Sequence, residues 1–196
     1  NAARRATGKR PASLAWFWGQ GKSLSLEPFK DLYGLQGCMI TAVDLLRGLG
    51  VLAGLDVIEV EGATGYIDTN YDGKAEAAID CLQQTDFVYV HVEAPDECGH
   101  QGDAMLKTRS IELFDEQIVA PIFQALEDRG ETYRLLVTMD HRTPVSLRGH
   151  SPEPVPIAVI DGPVGTLTKE AAFDEFINNS SAECKAHEYV QSLLNR

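Results

Sequence analysis

The chain has 196 residues, a formal net charge of −12 at pH 7 and 44% hydrophobic residues. This length is sufficient for one domain with a full core, and the composition is typical of soluble globular proteins. The acidic excess argues against nucleic acid as the main partner, because a phosphate backbone requires a basic face. No apolar run reaches about eighteen residues, so no membrane partner is predicted, and no signal peptide opens the sequence. The four cysteines lack paired spacing, which favours reduced thiols and a cytoplasmic location.

Hydrophobic periodicity predicts strands and helices that alternate along the chain. The predicted strands span residues 13–18, 37–41, 56–60, 87–92, 135–139 and 155–160. The predicted helices span residues 42–52, 71–84, 103–128, 169–177 and 182–194. Pro121 is expected to kink the third of these helices. Repeated alternation of strand and helix predicts an α/β fold, with a mainly parallel sheet and helices on both faces.

Carboxylates and imidazoles follow two of the predicted strands. Asp96 and His100 come after one of them, Asp140 and His141 come directly after another, and His150 lies a short loop later. In open α/β sheets, ligands bind beyond the carboxyl ends of the strands, so we expect these side chains at one rim. Asp96 and His100 are one helical turn apart and would point to the same side. The pattern predicts a metal site.

The ligand types and their number constrain which metals would bind. Mixed imidazole and carboxylate ligands suit Mn²⁺, Zn²⁺ or a related cation better than Ca²⁺, which prefers oxygen ligands alone. Mn²⁺ is the cation expected in the full-length enzyme, with Mg²⁺ or Zn²⁺ as alternatives. Five ligands exceed the need of one tetrahedral ion, which favours two metals about 3.5–4 Å apart that hold a phosphoryl group between them. A single histidine is more often structural than a ligand. We therefore expect His91, inside an apolar strand, to be a hydrogen-bonded core residue and His187 to lie on the surface.

Several separated motifs resemble those of one enzyme family. Residues 93–103 (EAPDECGHQGD) resemble the first metal motif of the archaeal-type cofactor-independent phosphoglycerate mutases. Residues 138–144 (TMDHRTP) and 150–156 (HSPEPVP) resemble the second metal motif of that family. Residues 16–21 (WFWGQG) and 61–69 (EGATGYIDT) resemble further stretches. Three charged residues behind the first motif fit the same pattern: Lys107, Glu112 and Asp115.

The resemblance implies a fold and a set of ligands. It runs from about Pro11 to Pro163, and the family belongs to the alkaline phosphatase superfamily, whose members hold two metals at the rim of the sheet. The ligands of one metal would be Asp96, His100 and His150. Those of the other would be Asp140 and His141, together with an early aspartate and a nucleophilic serine. In the family, that serine accepts the phosphoryl group and returns it to a different hydroxyl, which interconverts 3-phosphoglycerate and 2-phosphoglycerate.

The sequence departs from the family pattern in one respect. The early aspartate and the nucleophilic serine of the family precede an inserted lid domain, and none of the serines here has the required setting at a strand end and helix start. We therefore expect residues 11–196 to be the C-terminal part of the metal-binding domain and residues 1–10 to be a tail or the end of the lid. No catalytic residue is expected in this chain, which would be inactive without the N-terminal half of the same protein. An exposed sheet edge could then lead to self-association.

Two other functions stay open at this point. The first is a homoserine kinase of the same superfamily, which would transfer phosphate from ATP to an amino-acid hydroxyl. The second is a non-catalytic domain, although loss of metal ligands would be its signature and all five are present. The residues that would bind a small phosphorylated substrate are not determined. Four cations are candidates without a preference among them: Lys22, Arg47, Lys74 and Arg142.

Overall fold

The computed structural model describes residues 1–17, 19–164 and 183–195. Its helices are α1 (Ala2–Ala6), α2 (Phe29–Tyr33), α3 (Asp44–Leu52), α4 (Tyr71–Cys81), α5 (Ala94–Gln101), α6 (Ala104–Phe114), α7 (Ala120–Arg129) and α8 (Ala186–Leu194). Its strands are β1 (Gly37–Ile40), β2 (Asp56–Ile58), β3 (Phe87–Val90), β4 (Tyr133–Thr138) and β5 (Ile157–Gly162). Within these ranges, no helix combines the length and the apolar character needed to cross a lipid bilayer.

A parallel three-stranded sheet forms the centre of the fold. Its strand order is β2-β1-β3, with Met39 of β1 opposite Val57 of β2 and Tyr89 of β3. All four residues of β1 are buried. Because successive residues of a strand point to opposite faces, this burial shows that the sheet is covered on both sides.

Helices cover the two faces separately. Gly50 of α3 lies against Met39, and a Cβ at this glycine would lie 2.8 Å from the Met39 sulfur. On the opposite face, Ile40 packs in a core cluster with Ala75 and Ala78 of α4. Since Met39 and Ile40 are consecutive, α3 and α4 lie on different faces of the sheet. The predicted α/β fold with helices on both faces is confirmed.

A π-helical turn interrupts the long helix that the sequence predicts over residues 103–128. This turn spans Asp115–Val119 and joins α6 to α7 just before Pro121. Proline has no N–H to donate to the preceding turn, so the helix adjusts on its N-terminal side. The adjustment leaves Ile118 and Ile122 buried in the same core cluster as Ile40.

The last two strands form a separate antiparallel pair. The register runs from Tyr133 opposite Gly162 to Thr138 opposite Ile157. A parallel crossover needs a long connection, usually a helix, whereas residues 139–156 contain none. The mainly parallel arrangement therefore describes the three-stranded sheet, and β4 and β5 add an antiparallel element that periodicity did not predict.

The N-terminal segment differs from its prediction. Residues 11–17 form neither helix nor strand, and Trp16 and Phe17 are 82% and 90% exposed. A strand requires a partner with which to exchange backbone hydrogen bonds, and the apolar pattern alone does not supply one. Residues 1–10, predicted as an irregular tail, contain the exposed helix α1. The predicted helix at 169–177 and the start of the one at 182 lie outside the described residues, as does position 18.

Candidate metal centre

Helix α5 places two of the candidate ligands on one side. Pro95 lies in the first turn, where a missing N–H costs nothing, and Gly102 ends the helix with a φ of 77°. Asp96 lies in the first turn, where a carboxylate suits the positive end of the helix dipole, and His100 lies in the last turn. His100 Nε2 lies 3.3 Å from Asp96 Oδ2. The one-turn spacing therefore brings these two side chains together, as predicted.

The loop after β4 brings a third candidate ligand to the same place. His150 Nε2 lies 3.0 Å from His100 Nε2 and 3.4 Å from Asp96 Oδ1. The loop is closed on itself, because the backbone N–H of Ser151 donates to the carbonyl oxygen of Arg142 at 3.1 Å. His150 is thus held against α5 although it is 50 residues distant from His100 in the sequence.

The spacing of these three side chains fits a divalent ion. Ligand atoms bound at 2.0–2.2 Å lie roughly 2.8–3.6 Å apart in tetrahedral or octahedral geometry. The three separations of 3.0, 3.3 and 3.4 Å fall within this range. Among the described residues, Asp96, His100 and His150 form a group of donors that could hold a metal ion.

The proton position on His100 supports the same conclusion. Its Nδ1 lies 3.1 Å from the carbonyl oxygen of Arg148, which can only accept, so Nδ1 carries the hydrogen. A neutral His100 then directs the lone pair of Nε2 towards the Asp96 carboxylate, which is also an acceptor. Two facing acceptors are stabilised by a cation between them or by a donor beside them, such as the Nε2–H of His150. Arg148 has a φ of 51°, and this left-handed backbone is unusual for a residue other than glycine.

Asp140 and His141 lie beside this group. His141 Nε2 is 3.3 Å from Asp140 Oδ2, and its ring stacks on that of His150 with centroids 3.6 Å apart. His141 Nδ1 is 3.9 Å from Asp96 Oδ1. The structure thus brings all five predicted site residues to one rim, with Asp140 the most exposed of them at 72% of its side chain.

Thr143 connects the two groups, and the sequence did not single it out. Its hydroxyl donates a short hydrogen bond to Asp96 Oδ1 and lies 3.2 Å from His141 Nδ1. The residue is only 4% exposed. A hydroxyl two positions after His141, inside the second metal motif, was the available signal.

Comparison with known proteins identifies the family. The sequence model of the metalloenzyme superfamily matches residues 4–189. The chain belongs to this superfamily. Membership in a superfamily of metalloenzymes agrees with the donor set described above.

Two curated relatives carry the same name. The chain is 51% identical over 175 residues to a 2,3-bisphosphoglycerate-independent phosphoglycerate mutase of Methanothrix thermoacetophila, covering 89% of this chain and 44% of that protein. It is 47% identical over 196 residues to the protein of that name in Methanosarcina acetivorans, covering 99% and 49%. The chain therefore spans about half the length of the curated relatives it matches. The resemblance inferred from its motifs is confirmed.

Solved structures show the same similarity. The cofactor-independent phosphoglycerate mutase of Thermoplasma acidophilum matches this chain with a TM-score of 0.62 and 25% identity. The match covers 86% of this chain and 38% of the mutase chain. The PH0037 protein of Pyrococcus horikoshii matches with a TM-score of 0.64 and 33% identity, over 70% and 41%. The described residues therefore share the fold of part of each of these longer chains.

His91 and Glu93 lie beside the candidate ligands, and the carboxylates of Glu93, Asp96 and Glu97 form another group of donors that could hold a metal ion. His91 Nδ1 lies 3.2 Å from the hydroxyl of Thr41, and Nε2 lies 3.2 Å from Glu93 Oε2. Burial lowers the pKa of His91. The ring is hydrogen-bonded as expected, but the residue lies just beyond the end of β3 and is partly buried, so its prediction as a core residue within a strand was wrong. Burial, followed by the charges of Asp96 and Asp140, raises the pKa of Glu93. His187 is on the surface, with 77% of its side chain exposed.

The candidate cations differ in their surroundings. Lys74 is 1% exposed and donates from Nζ to the carbonyl oxygen of His91 at 3.1 Å, so it does not present its charge to a substrate. Arg142 donates from Nε to the carbonyl oxygen of Pro154 at 2.8 Å, within the loop that carries His150. Arg47 pairs with Glu59, and Lys22 is exposed.

Proposed function

We propose that the chain is the C-terminal part of a phosphoglycerate mutase, an isomerase that interconverts 3-phosphoglycerate and 2-phosphoglycerate. The observation that carries this proposal is the convergence of Asp96, His100 and His150 in a chain about 50% identical to proteins of that name. The names of these relatives favour the mutase over a homoserine kinase. The five candidate ligands, all present at one rim, argue against a non-catalytic domain.

We propose two metal positions, the first supported by the donor geometry and the second by the resemblance to the family. The first would have Asp96, His100 and His150 as ligands. The second would have Asp140 and His141, with an aspartate and the nucleophilic serine supplied by the remaining half of the protein. Mn²⁺ is the proposed cation, with Mg²⁺ or Zn²⁺ as alternatives, since the donors mix imidazole nitrogen with carboxylate oxygen. Bound there, the cations would neutralise charge on the phosphoryl group and lower the pKa of the serine.

The residues of this chain have positioning tasks in that proposal. The carbonyl oxygen of Arg148 fixes the tautomer of His100, and the bridge between Arg142 and Ser151 holds the loop that carries His150. Second-layer contacts of this kind orient ligands before a cation arrives. We further propose that the remaining half of the protein is the main partner and that the enzyme works in the cytoplasm.

The metal ligands are tested by titrating Mn²⁺ into the chain by calorimetry. We expect one ion per chain, because the second position lacks two of its proposed ligands here. His150→Ala should weaken binding more than 100-fold, on the order of 3 kcal/mol, by removing one of three protein ligands. His187→Ala, which changes an exposed histidine, is the matched control and should bind as the unaltered chain does. Equal affinity in both variants would contradict the assignment of His150.

The reaction is tested on the protein that includes the remaining half. We expect conversion of 3-phosphoglycerate to 2-phosphoglycerate that depends on Mn²⁺, and no phosphorylation of homoserine with ATP. The 196-residue chain alone should show neither reaction. Kinase activity without mutase activity would overturn the proposed substrate, and turnover by the chain alone would overturn the assignment of the serine to the other half.

A further inference from the structure

Thr143 lies where the two proposed metal positions meet. Its hydroxyl contacts a ligand of each position, Asp96 of the first and His141 of the second. We propose that Thr143 is a positioning residue that fixes the proton of His141 on Nδ1 and so leaves Nε2 free to bind a cation. The link to metal binding rests on the proposed function, whereas the position of the proton on His141 follows from the hydrogen bonds alone.

The direction of these hydrogen bonds follows from the number of protons available. A hydroxyl has one proton to donate, and an ionised carboxylate can only accept. The proton of Thr143 therefore goes to Asp96 Oδ1. The hydroxyl oxygen then has lone pairs left for His141 Nδ1, 3.2 Å away, and Nδ1 must be the donor. A neutral His141 has only one N–H, so its Nε2 carries a lone pair.

That lone pair points at another acceptor. His141 Nε2 lies 3.3 Å from Asp140 Oδ2. A carboxylate oxygen and a bare imidazole nitrogen at this distance repel each other unless a cation lies between or beside them. Without the bond to Thr143, the ring could place its hydrogen on Nε2 and satisfy Asp140 directly. Thr143 thus keeps the second position available for metal.

The position of Thr143 is itself fixed by two helices. Lys107 of α6 donates from Nζ to its carbonyl oxygen at 2.7 Å. Gly99 of α5 approaches so closely that a Cβ there would lie 2.5 Å from the same oxygen. With 4% exposure, the side chain has little freedom to turn its hydroxyl elsewhere. The alternative is a threonine that only fills space, and such a residue would leave the His141 tautomer unchanged when its hydroxyl is removed.

The test compares two substitutions of similar size. Thr143→Val keeps the shape and removes the hydroxyl, whereas Thr143→Ser keeps the hydroxyl. The tautomer of His141 is measured by nitrogen-15 NMR of the imidazoles in the metal-free chain, at alkaline pH where they are neutral. We expect Nδ1–H in the unaltered chain and in Thr143→Ser, and Nε2–H in Thr143→Val. Nε2–H in the unaltered chain, or an unchanged tautomer in Thr143→Val, would overturn the proposal.

Metal binding provides the second measurement. In the protein that includes the remaining half, Mn²⁺ affinity should fall about 10–100-fold in Thr143→Val and be retained in Thr143→Ser. Thermal unfolding of each variant checks that it folds; if Thr143→Val does not, Thr143→Ala removes the hydroxyl in its place, and the same shift of the His141 proton to Nε2 is expected. Should the proposed function fail because no metal binds at all, the NMR result stands by itself.

Discussion

Lys74 is a charged side chain placed in the interior, close to an acidic rim. Only 1% of the surface of Lys74 is exposed. Its ammonium group donates a hydrogen bond to the carbonyl oxygen of His91. Burial lowers the pKa of Lys74 to about 8, and the neighbouring charge of Glu93 limits the fall. Removal from water disfavours the ammonium form, while the nearby carboxylate favours it. The residue therefore couples the stability of the fold to pH.

The change of the free energy of unfolding with pH should show the contribution of Lys74. Its pKa is about 8 in the folded chain and 10.5 when unfolded, so the unfolded chain holds the proton longer as pH rises. The contribution of Lys74 to the free energy of unfolding should therefore grow between these two values, by about 3 kcal/mol. Urea unfolding of the chain and of Lys74→Met across this range measures it as a difference. Burial raises the pKa values of Cys81 and Tyr71 to about 12, and both groups lower the free energy of unfolding at high pH. This effect is the same in the unaltered chain and in Lys74→Met, so it cancels in the difference between them. Parallel profiles would contradict the prediction.

Helix α5 is the element on which the site depends, because it carries two candidate ligands and packs tightly on the loop that carries the others. The contact is closest at Gly99, where a Cβ would lie 2.9 Å from Thr143 Cγ2 and 3.0 Å from Lys107 Nζ. No side chain larger than hydrogen fits there without movement. The glycine therefore sets the distance between α5 and the loop.

Substituting Gly99 should disturb both folding and metal binding. We expect Gly99→Ala to lower the free energy of unfolding by about 1–3 kcal/mol, as overpacking typically does, and to weaken Mn²⁺ binding by displacing Thr143. Gly48 of α3 is the matched control, since it is exposed and a Cβ there meets nothing within 4 Å. Gly48→Ala should stabilise the chain by up to about 1 kcal/mol through helix propensity alone. A Gly99→Ala chain with unaltered stability and affinity would show that the contact is looser than described.

The elements that the sequence predicted are those whose signal is local. Strand β3 is a continuous apolar run and α4 has apolar residues at helical spacing, so both were placed within a few residues of their observed bounds. The segment 13–17 has an equally apolar pattern but no strand partner among the residues that the structure describes, and its prediction was wrong. The antiparallel pairing of β4 and β5 depends on a connection without a crossover helix, which periodicity does not describe.

In the candidate site, too, the residues with a local sequence signal were predicted and those that depend on distant contacts were not. The five ligand candidates were predictable because they follow the carboxyl ends of β3 and β4, although these two strands belong to separate sheets among the described residues. Thr143 and Arg148 were not, since their roles depend on contacts with residues 47 and 48 positions away, Asp96 and His100. Hydrogen-bond partners across such separations are defined only by the folded chain.

At the scale of the whole molecule, the described residues leave apolar surface uncovered. Leu14, Trp16 and Phe17 are each more than 80% exposed, and the outer edges of β2 and β3 have no strand partner among the described residues. The chain also spans less than half of its first relatives' length. We propose that the remaining half of the protein covers this surface.

Self-association should reveal that surface. We expect the chain alone to form concentration-dependent oligomers in sedimentation experiments, because unpaired strand edges and exposed aromatic side chains favour such contacts. Replacing Trp16 and Phe17 together by serine should shift the equilibrium towards monomer. The double replacement of Leu45 and Val51 by serine, on exposed positions of α3, is a control of similar apolar character. A chain that stays monomeric at all concentrations would contradict this expectation.

The separation of the ligands along the chain has a mechanical consequence. His100 and His150 are 50 residues apart, and the segment between them includes α6, α7 and β4. A cation held by both would act as a cross-link across that long segment, and at a concentration 100 times its dissociation constant it would add about 2.7 kcal/mol to the folded state. Limited proteolysis with and without a chelator should therefore show faster cleavage between these histidines once the cross-link is withdrawn.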